Sequence, residues 1–226
     1  MLNVSRRGRR KKMQNFLAEE IRNDYLITSE MKKLWSVQLD LLKKFDEVCK
    51  KHKLKYFAIG GTLLGAVRHS GYIPWDDDID LGMMRNDYDR LIEVAETEFN
   101  HPYFLQSAYS DIDYANLHIK LRNSDTLCAT KYDFEFKYNK GVFIDIFPLD
   151  RIPDLENDRI SFVAETNKYQ RILNVGIRKF YRIGEEIISE TEKNEIMDYL
   201  KKYLLRKFML SLKQRVQNSK IQRLKM

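Results

Sequence analysis

Trp75-Asp76-Asp77-Asp78-Ile79-Asp80 places four carboxylates within five residues, and the rest of the 226-residue chain is best read outward from it. Like charges this dense repel, and Pro74 just upstream disfavours the helix at Tyr72–Ile73 that would spread them. If a strand begins at Asp78, its period of two points Asp78 and Asp80 to one face and Ile79 into the core. Two neighbouring carboxylates on one face are costly without a cation between them. Hard oxygen donors at this spacing suit Mg²⁺ or Mn²⁺. A plain acidic surface turn is the alternative. A calcium loop is rejected: Asp76, Asp78, Asp80 and Asp87 fall at positions 1, 3, 5 and 12 of an EF-hand-like frame, but Leu81 stands where that frame needs glycine.

Upstream, Ser29 is the expected N-cap of a long helix in which Met31, Leu34, Trp35, Leu41, Leu42, Phe45, Val48 and Cys49 form one apolar stripe. Lys51-His52-Lys53 supplies cations at its C-terminal end. Tyr56 to Ile59 reads as a short strand, Thr62 to His69 as a short helix and Gly71 to Pro74 as a turn. The acidic run then leads into a strand ending at Met84, and Asn86 is the expected cap of a helix with Tyr88, Leu91, Ile92 and Ala95 inward. Three strand-like pieces follow at Tyr103–Ser107, Asn116–Arg122 and Gly141–Phe147, and from Leu155 the pattern is helical and increasingly charged. The order predicts an α+β fold, a small mixed sheet backed by helices. Its parts are a basic N-terminal arm over 1–27, a core over 28–155 and a helical, basic extension over 156–226.

Two segments add to the acidic run. Gly60-Gly61 ends a strand and opens a helix, so free N–H groups at the helix start can hold an anion; a tight turn is the simpler use of such a pair. Gly141-Val142-Phe143-Ile144-Asp145-Ile146-Phe147-Pro148 is an apolar strand with one charge in its middle. A buried lone Asp145 needs a partner, either a cation shared with Asp78 and Asp80 or a buried Arg or Lys.

Composition sets outer bounds. The chain is 43% hydrophobic and 32% charged, enough apolar material for a core and too much for a disordered protein. No apolar run reaches the ~18–20 residues of a membrane span. The basic N-terminus lacks the apolar stretch of a secretory signal, and Cys49 and Cys128 form no disulfide framework, so a cytoplasmic protein is expected. The net charge of +7 divides unevenly. Residues 1–13 carry six basic side chains and residues 201–226 nine, with no acid in either; residues 14–200 hold 25 basic against 33 acidic, a net of −8. Basic ends suit an anionic surface, either nucleic acid or the inner membrane leaflet, or serve only as solvated tails. His52, His69, His101 and His118 are dispersed, with no HExxH, and neither a P-loop nor a GxSxG element occurs, which excludes zinc-protease, P-loop and serine-hydrolase readings.

The continuous stretch Gly60-Gly61-Thr62-Leu63-Leu64-Gly65-Ala66-Val67-Arg68-His69-Ser70-Gly71-Tyr72-Ile73-Pro74-Trp75-Asp76-Asp77-Asp78-Ile79-Asp80 closely resembles the signature of the LicD family, phosphocholine and related phosphotransferases similar also to fukutin-related enzymes. Supporting matches run from Tyr56–Ile59 through Lys120-Leu121-Arg122 to Asp145-Ile146-Phe147-Pro148-Leu149-Asp150. The resemblance implies a nucleotidyltransferase-like fold, with Gly60, Gly61 and Thr62 beside the phosphates. It also implies Asp78, Asp80 and Asp145 as catalytic ligands of Mg²⁺ or Mn²⁺. The donor implied is a CDP-alcohol such as CDP-choline, and the acceptor a sugar hydroxyl of a cell-surface glycan or glycolipid precursor. Arg68, Lys120 and Arg122 are candidates to clamp the diphosphate, or else salt-bridge partners. His69 is a candidate substrate contact or a structural histidine. Trp75 either stacks on a base or choline group or packs under the acidic turn. Tyr132, Phe134, Phe136 and Tyr138 form an edge strand or an acceptor-facing loop. The family's Tyr-Gly-Asp element does not occur, so a shortened chain is expected. A nucleotidyltransferase acting on nucleic acid and a non-catalytic LicD-like protein are the competing readings.

Overall fold

A computed structural model describes residues 16–164, apart from 108, 112, 113, 115 and 132, together with 167, 182–183, 186–187, 191 and 194. The chain divides into two compact units, Met1–Arg151 and Ile152–Met226. In the second, residues 156–164 are helical, and β8 (Arg182–Ile183) pairs antiparallel with β9 (Glu186–Ile187), a strand pair in a region expected to be helical. The basic stretch at residues 1–13 and the tail at 201–226 lie outside the described residues.

The first unit opens with a hairpin where the sequence suggests only an arm. β1 (Glu20–Arg22) pairs antiparallel with β2 (Tyr25–Ile27). Its turn is Asn23-Asp24, both at positive φ, a conformation these residues tolerate better than most. Helix α1 (Ser29–His52) follows. Its N-cap is Thr28 rather than Ser29: the Thr28 hydroxyl accepts from the Met31 N–H at 3.2 Å. Lys53 ends the helix in the left-handed region, with basic residues in the last turn as expected.

β3 (Phe57–Ala58), α2 (Gly60–His69), β4 (Asp80–Met84), α3 (Arg85–Glu98), β5 (Tyr103–Gln106), β6 (Ile119–Asn123) and β7 (Val142–Leu149) complete the unit. The strands form one five-stranded mixed sheet in the order β3-β4-β7-β6-β5, in which only β4 and β7 run parallel. The α+β class therefore stands. Two details differ from expectation. The strand begins at Asp80 rather than Asp78, and Asn86 lies inside α3, whose N-cap position is Met84.

Alternation along the strands gives the sheet two unlike faces. Leu81, Met83, Leu105, Ile119, Leu121, Val142, Ile144 and Ile146 join Leu41, Phe45, Val48, Tyr88 and Leu91 of α1 and α3 in a single buried core. The strand register sets Asp80 opposite Asp145 and Lys120 opposite Asp145, so these three side chains share the other face. That face carries the chemistry.

Helix α2 is held to the Gly71–Ile73 segment that leads into the acidic loop through Gly65, its buried residue; a Cβ there would collide with the Gly71 carbonyl oxygen and stand 3.1 Å from the Ile73 nitrogen. An alanine inside a helix normally stabilises by about 0.5–1 kcal/mol relative to glycine. Here the sign reverses: we expect Gly65→Ala to destabilise the protein by about 1–3 kcal/mol, the usual cost of overpacking, as read from its urea midpoint.

Candidate active site

The acidic run forms a loop between α2 and β4. The Asp76 N–H donates to the Ile73 carbonyl at 3.0 Å, closing the turn, and α1 secures it from beneath. Trp35 Nε1 donates to the Asp76 carbonyl at 2.8 Å, and Gln38 Nε2 donates to the Asp77 carbonyl at 2.7 Å. Trp35 also stacks on Tyr72, with ring centroids 4.5 Å apart and planes within 8°, while the Tyr72 hydroxyl donates to Gln38 Oε1 at 3.0 Å. The tryptophan under the turn is thus Trp35, not Trp75. Trp75 is 53% exposed, edge-to-face with Tyr25 at 5.8 Å and with His69 at 6.2 Å.

The start of α2 meets the same carboxylates. Gly60 has φ +54°, and a Cβ on it would lie 3.2 Å from Asp80 Oδ2; a Cβ on Gly61 would lie 2.5 Å from Asp76 Oδ2. At Gly61 a side chain would force the Asp76 carboxylate to move, and at Gly60 the positive φ disfavours any other residue. Thr62 Oγ1 accepts the Asp80 N–H at 2.8 Å, and the Ile59 N–H donates to the Asp80 carbonyl at 3.1 Å, so the helix start and the first residue of β4 are tied together.

Carboxylate oxygens of Asp76, Asp77 and Asp78 lie within 4.8 Å of one another. Of the expected set, Asp80 and Asp145 are register partners on adjacent parallel strands, which run about 4.8 Å apart. Asp78 lies just before β4. Asp145 is engaged by two side chains of the same face: Lys120 Nζ stands 2.6 Å and His118 Nε2 2.9 Å from its Oδ1. Both His118 Nε2 and Asp145 Oδ1 are shut off from solvent, and the two lie close without hydrogen-bond alignment.

The electrostatics separate the acids into two groups. Burial, with Asp80, Asp76, Asp77 and Asp145 adding repulsion, pushes Asp78 up to about 6. Burial and then Asp77 raise Asp76; burial, Asp145 and Asp76 raise Asp80, against the pull of His118 and Lys120. Burial also pushes Asp145 upward, but His118 and Lys120 outweigh it and hold this carboxyl below the usual range. Burial lowers Lys120, an effect that Asp145 opposes. Burial is thus the main cause of the raised proton affinity at Asp76, Asp78 and Asp80, whereas at Asp145 the neighbouring His118 and Lys120 outweigh it.

The remaining expected residues divide by place. Lys120 is 8% exposed and lies 3.4 Å from the centroid of Phe143. Arg122 is buried, donating to Gln106 Oε1 and to the Gly141 carbonyl, both at 2.6 Å, which commits its fork to the protein interior. Arg68 is exposed at the far end of α2, its Nε donating to His69 Nδ1 at 3.2 Å. The aromatic run is a loop around a 3₁₀ turn (Asp133–Glu135), not an edge strand; Phe136 stacks on Tyr138 at 5.6 Å, and Tyr132 is outside the described residues. Sequence reasoning passed over Gln38 and His118. For His118 the signal was present: it stands two residues before Lys120, so the strand period of two puts both on the Asp145 side.

Residues 53–172 match the family described as LicD/FKTN/FKRP, nucleotidyltransferase domain. Lipopolysaccharide cholinephosphotransferase LicD of Haemophilus influenzae is 28% identical over 165 residues, covering 73% of this chain and 61% of that protein. An uncharacterised Rickettsia prowazekii protein, RP689, is 32% identical over 114 residues, covering 50% and 39%. Ribitol 5-phosphate transferase FKRP of Homo sapiens is 53% identical over 45 residues, covering 20% and 9%. The chain spans less than two thirds of the length of each of these relatives. With over half of its residues matched, including the glycine pair and all the acids of the site, the chain belongs to the LicD family.

Proposed function

We propose that the protein transfers a phosphate-linked alcohol from a CDP-alcohol donor to a sugar hydroxyl of a glycan or glycolipid precursor. The acceptor oxygen attacks the phosphorus that bears the alcohol. The bond from that phosphorus to the bridging oxygen breaks, CMP leaves, and the hydroxyl proton passes to solvent. The relatives' names, a cholinephosphotransferase and a ribitol 5-phosphate transferase, support this class of transfer. The observation that carries the reading is the meeting of a glycine-started helix with the Asp76–Asp80 loop, beside Asp145 on the same sheet face.

The donor set fits Mg²⁺ or Mn²⁺. It is all hard oxygen, from acids packed close together, with carboxylate oxygens of Asp76, Asp77 and Asp78 within 4.8 Å of one another. Asp78 and Asp80, with Asp145 beside them, would hold the ion, and it would supply positive charge to offset that of the phosphates. The N–H groups at the start of α2 favour an anion through the helix dipole. Asp145, held below the usual carboxylate range beside His118 and Lys120, is poorly suited to abstract a proton. Trp75 and Tyr25, both exposed, offer ring surface to a base or to a quaternary ammonium group. The basic ends on which an RNA-directed nucleotidyltransferase would rest lie outside the described residues, and Lys120 and Arg122, engaged inside the protein, are not free to clamp a diphosphate.

Two outcomes are expected. Purified protein with Mn²⁺ and a panel of CDP-alcohols releases CMP when a sugar acceptor is present, and Asp78→Asn or Asp80→Asn lowers release at least about 100-fold without unfolding the protein; normal turnover by either variant would refute the assignment. Because protons compete with the cation at Asp78, Mn²⁺ affinity measured by calorimetric titration should fall as pH drops through about 6. The same raised value means that the ion-free folded protein binds more protons than the unfolded chain, so stability from this group declines as pH rises from the ordinary carboxylate range to about 6. Asp78→Asn should accordingly raise ion-free stability at pH 7 by about 1 kcal/mol, after allowance for solvent screening.

A further inference from the structure

We infer that Trp35 and Gln38, both upstream of the family-matched region, are positioning residues that hold the acidic loop in its ion-binding shape. The inference rests on the reading that this loop binds a divalent cation. Carboxylates of Asp76, Asp77 and Asp78 within 4.8 Å of one another repel, and a free loop would relax by turning them apart. Relaxation is opposed at the backbone. Trp35 holds the Asp76 carbonyl and Gln38 the next one, at 2.8 and 2.7 Å. Each donor is itself immobilised, since Trp35 and Gln38 are both 2% exposed, Trp35 is stacked on Tyr72, and Gln38 is held by the Tyr72 hydroxyl. Gln38 Nε2 also lies 3.5 Å from the Phe143 carbonyl, two residues before Asp145, so one side chain touches both acid-bearing segments. Each acts through the backbone carbonyl it holds. Partners of this kind typically change metal affinity 10- to 100-fold.

The test uses the full chain with Trp35→Phe, which keeps a ring for Tyr72 but removes the donor, and Gln38→Met, which keeps length but removes hydrogen bonding. Lys33→Ala, on the exposed side of α1, is the control. Free Mn²⁺ is followed by electron paramagnetic resonance, folding by thermal melts, and loop order by amide hydrogen exchange over residues 76–80. Trp35→Phe is expected to stay folded, bind Mn²⁺ about 10-fold more weakly and exchange faster across the loop, with Lys33→Ala like wild type. Should Gln38→Met not fold, Trp35→Phe alone decides. Unchanged loop exchange, or Mn²⁺ binding equal to wild type, overturns the inference. If the unaltered protein binds no Mn²⁺ while the variants still exchange faster, the cation reading fails and the loop-holding role stands.

Discussion

Repulsion among the Asp76–Asp80 carboxylates is the constraint around which the first unit is arranged. Charges so close would separate in water, yet here they are gathered between two helices. From below, buried donors on α1 take the loop's carbonyls. From the side, the glycine pair lets the N-terminal end of α2 approach Asp76 and Asp80 without a side chain intervening. The positive end of that helix dipole offsets part of the repulsion. Burial and the remaining repulsion together raise the proton affinities of Asp76, Asp78 and Asp80.

The sheet makes this tolerable by keeping charge and core apart. Its apolar face, covered by α1 and α3, supplies the burial that stabilises the unit. Its other face places Asp80, Asp145 and Lys120 in register, with β4 and β7 parallel so that two acids from distant parts of the chain become neighbours. Asp145 is only 7% exposed, and a lone carboxylate so buried would be costly. Lys120 and His118 supply its compensation, which leaves the cation reading to rest chiefly on the loop acids.

Helix α1 is more than packing. Its apolar stripe forms the core, while Trp35 and Gln38, farther toward its N-terminus, reach the acidic loop. One helix therefore couples core formation to site geometry, and damage to either should be felt at both. The hairpin that precedes it is bound in the same way: Lys32, buried on α1, pairs with Glu20 at 2.8 Å.

Local pattern made much of this legible. The period of α1, the apolar run of β7 with Asp145 at its centre, the glycine pair opening a helix and the acidic stretch entering a strand all follow from spacing and residue type. Cap positions at Thr28 and Met84 were misread by a residue or two, because serine and asparagine next to a helix start look equally able to cap it. What spacing along the chain could not supply was partnership across it. Whether Asp145 would meet a cation or a lysine, whether Arg122 would face a substrate or the Gly141 carbonyl, and which tryptophan would lie under the loop depended on strand register and helix docking. Sequence determined which residues carry charge and which face of each element they occupy, since both are set by side-chain chemistry and backbone period. Tertiary structure alone decided which charges neutralise one another, because that depends on distances between segments far apart in the chain.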